Sequence, residues 1–355
     1  MSFNFPVFKT KVDGSDKAFL LEDPVERQKY FTHKAGDEIE KIRGFLEKNS
    51  FMAFLLGPKN SGKGTYSKLF TEAVGKERVY HLSVGDAVRN IHKSLEDGKK
   101  REEIVSFIRE KYRGFMPVDE AIQAVLDRDT KTLLPTELIL TFLEWELSQV
   151  KGKAIFVDGF PRNLDQISYS LYFRSLMGYQ DNPDFFVFID VPETIIDERM
   201  KNRVICPKCQ TPRNPKLLKT KDVGYDAEAE EFYLMCDDPE CGKARMVAKE
   251  GDELGIEAIR ERIDKDKKIM KTLLDLQGVP KIYLRNAVPV DVAKERVDDY
   301  EITPMYRYEL DSSGEVKTVE EPWVVPDEEG TPSYSLLPAA VVISLIKQIK
   351  EVLEL

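Results

Sequence analysis

The chain has no apolar run long enough to cross a membrane. Its longest, Leu336 to Ile346, falls well short of the ~20 residues a span requires. It has no basic surplus: Lys and Arg number 53 against 63 Asp and Glu, a net charge of -10. Nucleic-acid binding rests on neutralising phosphates with cations, so neither nucleic acid nor membrane is expected as a partner. Cysteines are scarce, and four in 355 residues are too few for a disulfide scaffold. In a reducing compartment, clustered cysteines are metal ligands more often than bridges. The opening Met1-Ser-Phe-Asn-Phe-Pro6 lacks the basic region and apolar run of a secretory signal, so a cytoplasmic location is expected. No internal repeat occurs.

What is present describes a globular protein with a core, 42% hydrophobic and 33% charged. The length allows two units or one core carrying insertions, and the motifs favour the second. Short β-branched and aromatic runs occur at Phe51 to Leu56, Val79 to Leu82, Ala154 to Val157 and Phe185 to Ile189. Between them lie helical stretches such as Pro135 to Val150, where Leu138, Phe142, Trp145 and Leu147 recur at roughly helical spacing. Strands apolar enough for burial on both faces, alternating with helices, predict a parallel sheet in a doubly wound α/β core. Three segments sit awkwardly in it: a polar helical stretch from Ile91 to Thr132, a loop-rich excursion from Val204 to Asp252, and Lys281 to Thr331, which suggests a hairpin on an edge. Residues 1–48 form an extension, with a helix expected from Ala35 to Lys48.

Gly57-Pro-Lys-Asn-Ser-Gly62-Lys63-Gly64-Thr65 follows the first strand and opens a helix, the context in which G-x-x-x-x-G-K makes a phosphate cradle. Glycines let successive N–H groups point inward, the helix N-terminus adds its dipole, and Lys63 meets the β and γ phosphates. Two departures stand out. Gly64 occupies the usual Ser/Thr position, with Thr65 one place later, and Asn60, a residue that tolerates positive φ, stands at a position suited to glycine. Lys59 adds a charge beside the cradle. Asp86 and Asp158, at two strand ends facing it, are candidates for holding Mg²⁺ through water.

Cys206-Pro-Lys-Cys209 and Cys236-Asp-Asp-Pro-Glu-Cys241 form two thiolate pairs, which predict a closed Cys₄ site for structural Zn²⁺. A zinc ribbon can also bind nucleic acid, so a nucleotide-gated nucleic-acid-binding protein is the alternative from another class. The acidic balance argues against it.

Leu82-Ser-Val-Gly-Asp-Ala-Val-Arg89, Val157-Asp-Gly-Phe-Pro-Arg162 and Asp190 to Arg199 end the second, third and fourth strands, where ligands of open α/β sheets gather. With the phosphate loop, this set resembles the adenylate kinase family of nucleoside monophosphate kinases, from about Phe51 to Ile263. The resemblance implies a P-loop NTPase fold: a parallel five-stranded sheet flanked by helices, with a helical monophosphate-binding insert at 91–135 and a zinc-bearing lid at 204–252. It implies a monomeric enzyme that moves phosphate between ATP and AMP to give ADP, with Mg²⁺. ATP is then bound by Gly57, Asn60, Ser61, Gly62, Lys63, Gly64, Thr65 and Arg199. AMP is bound by Arg89, Gly159, Arg162 and Gln166, and catalysis rests on Lys63, Arg162, Arg203 and Arg262. Arginine suits this work because its planar fork grips phosphate oxygens in pairs and stays charged.

The family's further lid arginine has no counterpart, and Lys249 or Arg245 is left to replace it. Gln166 favours AMP, while Val84 and Asn163 keep a UMP/CMP-type enzyme open as the alternative. The 26 residues between the cysteine pairs exceed the family's usual interval, which predicts a decorated knuckle. The final strand and helix have two placements: Lys281 to Leu284 with Val292 to Tyr300, or Trp323 to Val325 with Leu336 to Leu353. The second is preferred because Asp327 and Gly330 precede an amphipathic terminal helix, as in the family. Residues 281–321 are then an insertion within a core spanning 49–355.

Overall fold

The computed structural model describes residues 5–127, 134–164, 166–167 and 183–355. Positions 128–133, inside the expected helical insert, lie outside them. Five parallel strands form the central sheet, in the order Lys281–Arg285, Asp184–Asp190, Met52–Leu56, Ala154–Asp158, Val79–Ser83. Leu55 pairs with Asp158, Ser83 with Asp158, and Arg285 with Asp190, so the carboxyl ends share one rim.

The three inner strands, Asp184–Asp190, Met52–Leu56 and Ala154–Asp158, are apolar along their interiors because both faces are covered. Ala53, Leu55, Phe185, Val187 and Ile189 point into one apolar cluster, and Met52, Phe54, Leu56, Phe186 and Phe188 into the other. The period of two in a strand sends alternate residues to opposite faces, so a run without polar interruption is what two covering layers demand. The first layer holds helices Pro24–Phe45, Lys63–Val74 and Pro338–Val352; the second holds Val84–Glu96, Thr136–Ser148 and Arg260–Leu274. Among the described residues between Val84–Glu96 and Thr136–Ser148 stand the helices Gly98–Lys111 and Val118–Leu126.

Four expectations are corrected: the fifth strand, the bounds of the insertion, the place of the hairpin and the start of the first helix. The fifth core strand is Lys281–Arg285, not Trp323 to Val325. Ile282 and Leu284 are fully buried on one face, while Tyr283 packs against Phe188 and Phe5 on the other, with ring centroids 6.1 and 5.1 Å away. Val324, by contrast, is 46% exposed, so its segment lacks the cover on both faces that Lys281–Arg285 has. Val324–Pro326 instead joins a small antiparallel sheet with Pro332–Tyr334 and Val288–Pro289. The insertion therefore runs from Asn286 to Leu337, between the last strand and the terminal helix. The expected hairpin pairs Pro304–Leu310 with Val316–Pro322 as a separate two-stranded sheet, not on the edge of the central one.

The extension's helix also starts earlier than Ala35. Asp23 accepts hydrogen bonds from the N–H groups of Val25 and Glu26, Pro24 occupies the first turn, and the helix kinks at Ala35. It packs on the terminal helix and on Lys63–Val74.

Candidate active site

The phosphate loop is built for close approach. A Cβ at Gly57 would stand 2.7 Å from Ser61 Oγ and 2.9 Å from the Ile189 carbonyl, so only glycine fits. Asn60 takes φ 68° and Gly62 φ 101°, turning the chain into the helix that begins at Lys63. No side chain caps that helix, which leaves its first N–H groups directed at the loop. Gly64 has open space around it and Thr65 is exposed. Ser61 Oγ and Asn60 Nδ2 are buried without a hydrogen-bond partner among the described residues, as donors awaiting an anion are. Lys63 Nζ donates to the carbonyls of Gly57 at 2.8 Å and Pro58 at 2.9 Å.

Lys63, Arg162, Gly159 and Arg262 line one narrow gap with Asp266 of helix Arg260–Leu274. Burial pulls the Lys63 ammonium below the usual lysine range, with Asp158 and Asp266 opposing. Burial pushes the Asp266 carboxyl up, while Lys63 and Arg262 oppose. Lys59 is lowered first by burial and then by Arg262, Arg203 and Lys249. Cations are thus gathered at the rim of an acidic protein. An anion placed there relieves both their mutual repulsion and their desolvation.

Arg203 grips Asp252 through two bonds of 2.5 and 2.8 Å and reaches Asn60 Oδ1 at 3.4 Å, tying the cysteine-bearing excursion to the loop. Lys249 N–H donates to the Arg203 carbonyl at 3.2 Å. Arg245 is committed elsewhere, to Asp226 at 2.7 Å, to Glu231, and over the Tyr233 ring at 4.3 Å. Of the two candidates for the missing lid arginine, Lys249 is the one near the rim. Arg199 reaches Ser335 Oγ at 3.4 Å and lines, with Tyr66, a cavity of about 300 Å³ beside the loop.

On the other side, Arg89 and Arg162 converge on Gly85. A Cβ there would stand 3.5 Å from Arg89 Nη1 and 3.9 Å from Arg162 Nη2. Gly159 takes φ 87°, and a Cβ on it would meet Arg162 Nη2 at 2.6 Å. Asp86 is ion-paired with Arg89. Both Asp86 and Asp158 act electrostatically on His81, whose pKa burial lowers and they oppose. Gln166 is buried; its Oε1 accepts from the Arg162 N–H at 2.6 Å and its Nε2 donates to Thr136 Oγ1 at 3.3 Å.

The four cysteine sulfurs lie within 4.8 Å of one another, with Cys209 and Cys236 Sγ 3.6 Å apart. A tetrahedral Zn–S bond of ~2.3 Å implies S···S edges of roughly 3.8 Å, so the donor set fits zinc. Asp252 and Asp266 were missed by the sequence reading. Asp266 lies four residues after Arg262 on a helix, a spacing that places both on one face. Asp252 is 49 residues from Arg203 and has no local signal.

A glycine loop opening a helix at the rim of a parallel sheet, faced by convergent arginines, defines a P-loop phosphotransferase. No family model matches the chain. The adenylate kinase of Thermotoga neapolitana is 31% identical over 216 residues, 59% of this chain and 79% of that protein. Those of Clostridium acetobutylicum and Kosmotoga olearia are 30% and 28% identical, each over 59% of this chain and 79% and 78% of theirs. The chain belongs to the adenylate kinase family, and as such is a nucleoside monophosphate kinase. Among the described residues no helix is long and apolar enough to cross a membrane.

Proposed function

We propose that the enzyme reversibly transfers the γ-phosphoryl group of ATP to AMP, giving two ADP. An AMP phosphate oxygen forms the new P–O bond as the bond to the β–γ bridging oxygen breaks. The observation that carries this reading is the gap lined jointly by Lys63, Arg162 and Arg262, with the triphosphate loop on one side and the Arg89–Arg162 pair on the other. Transfer between two phosphates needs alignment and charge neutralisation more than covalent help, and these side chains supply both.

In this reading the loop from Gly57 to Thr65 cradles the β and γ phosphates, and Arg199 and the 300 Å³ cavity receive the ATP base. Arg203, Arg262 and Lys249 surround the transferring group. Mg²⁺ would be held through water by Asp158 and Asp86, and would neutralise charge across the β and γ oxygens. Gln166 keeps one amide hydrogen and one carbonyl lone pair for the AMP base after its two internal bonds. Residues 91–135, with helices Gly98–Lys111 and Val118–Leu126, form the monophosphate-binding part. The excursion from Val204 to Asp252 forms a lid, stiffened by Zn²⁺ on Cys206, Cys209, Cys236 and Cys241 because it is too small for a large core of its own. Four free thiols suit a reducing, cytoplasmic setting, and the net charge of -10 suits a protein without a nucleic-acid partner. A monomer is expected.

A coupled assay offering AMP, CMP, UMP and GMP with ATP tests the reading. AMP is expected as the preferred acceptor. Preference for CMP or UMP overturns the base assignment, and no transfer to any of them overturns the reaction. Metal analysis of the purified chain is expected to find about one zinc per molecule.

A further inference from the structure

The cavity beside the phosphate loop has an unusual third wall. Arg199 and Tyr66 come from the core and Leu217 and Leu218 from the lid, but Thr303 and Leu337 come from the insertion between Asn286 and Leu337. The same insertion holds the lid wall from outside. The Tyr306 N–H donates to the Lys216 carbonyl at 2.7 Å, and the Tyr308 hydroxyl donates to the Pro215 carbonyl at 2.6 Å. Lys219 Nζ lies over the Tyr306 ring at 5.4 Å, and the Tyr308 ring meets Phe232 at 5.8 Å and packs against the small cysteine-lined core of the lid.

The far end of the insertion is fastened to the core. Asn286, fully buried, donates to Tyr66 Oη at 2.9 Å and to the Leu336 carbonyl at 3.2 Å. Its Oδ1 accepts from the Leu336 N–H at 2.7 Å and from Ser335 Oγ at 3.2 Å. Thr303 N–H then donates to the Ser335 carbonyl at 2.8 Å. The lid turn is pinned from its other side by Asn214, whose Nδ2 donates to the Glu198 carbonyl at 3.1 Å while its Oδ1 accepts from the N–H groups of Lys216 and Leu217. Hydrogen bonds from the phosphate-loop helix to Asn286, Ser335 and Thr303, and from Tyr306 and Tyr308 to the lid segment, are thus joined by the short stretch of chain from Thr303 to Tyr308.

We propose that the insertion is a strut that positions the lid turn Asn214–Lys219 over the base of the nucleoside triphosphate, with Tyr308 as a positioning residue. This rests on reading the cavity as the ATP base pocket. Removing the strut's grip weakens binding of ATP and leaves AMP, bound on the opposite side of the transfer gap, unaffected. The hydroxyl and the ring contribute separately. One lost hydrogen bond corresponds to roughly a threefold to tenfold change in affinity.

Steady-state kinetics on the full-length, zinc-loaded chain, with ATP and AMP varied in turn, separate the outcomes. Tyr308→Ala is expected to raise KM for ATP about tenfold with KM for AMP unchanged, and Tyr308→Phe, which keeps the ring, about threefold. The unfolding midpoint shows that both variants are folded at the assay temperature; if Tyr308→Ala is not, Tyr308→Phe alone decides. An unchanged KM for ATP, or equal rises for both substrates, overturns the strut while leaving the kinase reading intact. Leu217→Trp, which fills the cavity from the lid side, tests the pocket itself. A raised KM for ATP supports the base-pocket reading, and no change overturns it together with the inference.

Discussion

Two regions of this molecule concentrate charge, and they do so in opposite ways. At the carboxyl rim of the sheet, six cations, Lys59, Lys63, Arg162, Arg203, Arg262 and Lys249, crowd around three carboxylates, Asp158, Asp252 and Asp266. Where the first 48 residues meet the insertion, a single cation is enclosed and fully satisfied. Lys34 Nζ lies 2.5 Å from Asp298 and 3.6 Å from Glu301, donates to the Thr10 carbonyl at 3.1 Å, and sits over the rings of Tyr30 and Tyr300. Glu301 in turn accepts from the hydroxyls of Tyr30 and Thr10 and from the Asp298 N–H. Burial, then the Glu301 charge, pushes the Tyr30 hydroxyl pKa well up, so it stays protonated as the donor. The difference separates function from structure: a buried charge whose partners are complete holds the fold, while a surplus of one sign at a rim is held ready for a ligand.

The sharpest way to break that comparison is to remove the enclosed cation. Lys34→Met leaves the buried Glu301 and the half-buried Asp298 side by side without their counter-charge and is expected to cost about 3–5 kcal/mol in urea unfolding. Turnover per folded molecule should be nearly unchanged, and a small stability loss with reduced activity would reverse the assignment. Lys63→Met is the mirror case. Transfer in the coupled assay should fall by roughly 10²–10³, about 2.7–4 kcal/mol, with the unfolding free energy kept or slightly raised.

A third cluster tests the rule with the sign inverted. Arg285 lies 2.7 Å from Asp190 and 3.0 Å from Asp327, with Glu328 nearby, so carboxylates outnumber cations. Burial raises the Asp190 pKa from 3.8 to about 6, with Arg285 and Lys267 opposing and Glu328 adding. Because the folded form holds this proton more tightly than the unfolded chain, its contribution to stability is complete below pH ~4 and is lost as pH rises through about 6, by roughly 3 kcal/mol. Asp190→Asn should remove that slope from the pH dependence of the unfolding free energy, and an unaltered slope between pH 4 and 7 would assign it to another group.

Much of the core was legible because burial on both faces leaves a plain mark: Phe51 to Leu56 and Phe185 to Ile189 have no polar interruption. The loop at Gly57 to Thr65 was legible because its chemistry is local, nine consecutive residues making one cradle. The fifth strand was misassigned because Trp323-Val-Val325 is as apolar as Ile282-Tyr-Leu284. Apolarity does not say whether a second layer covers the strand, and Pro322 and Pro326 did not settle the matter because the place lies at the edge of the sheet, where proline is tolerated. The early start of the first helix was also available, in Asp23 followed by Pro24. The approach of Asp252 to Arg203 was not, since no sequence interval predicts which carboxylate a folded excursion will return to an arginine.

By itself, then, the sequence determined the class of fold, the phosphate loop, the cysteine set and the family, because each depends on residues close along the chain or on periodic burial. Only the tertiary structure decided that Lys281–Arg285 closes the sheet, that Lys249 rather than Arg245 lies near the rim, and that the insertion joins the phosphate-loop helix to the cysteine-bearing excursion. Those depend on pairings between distant segments, which packing selects from many of comparable local character.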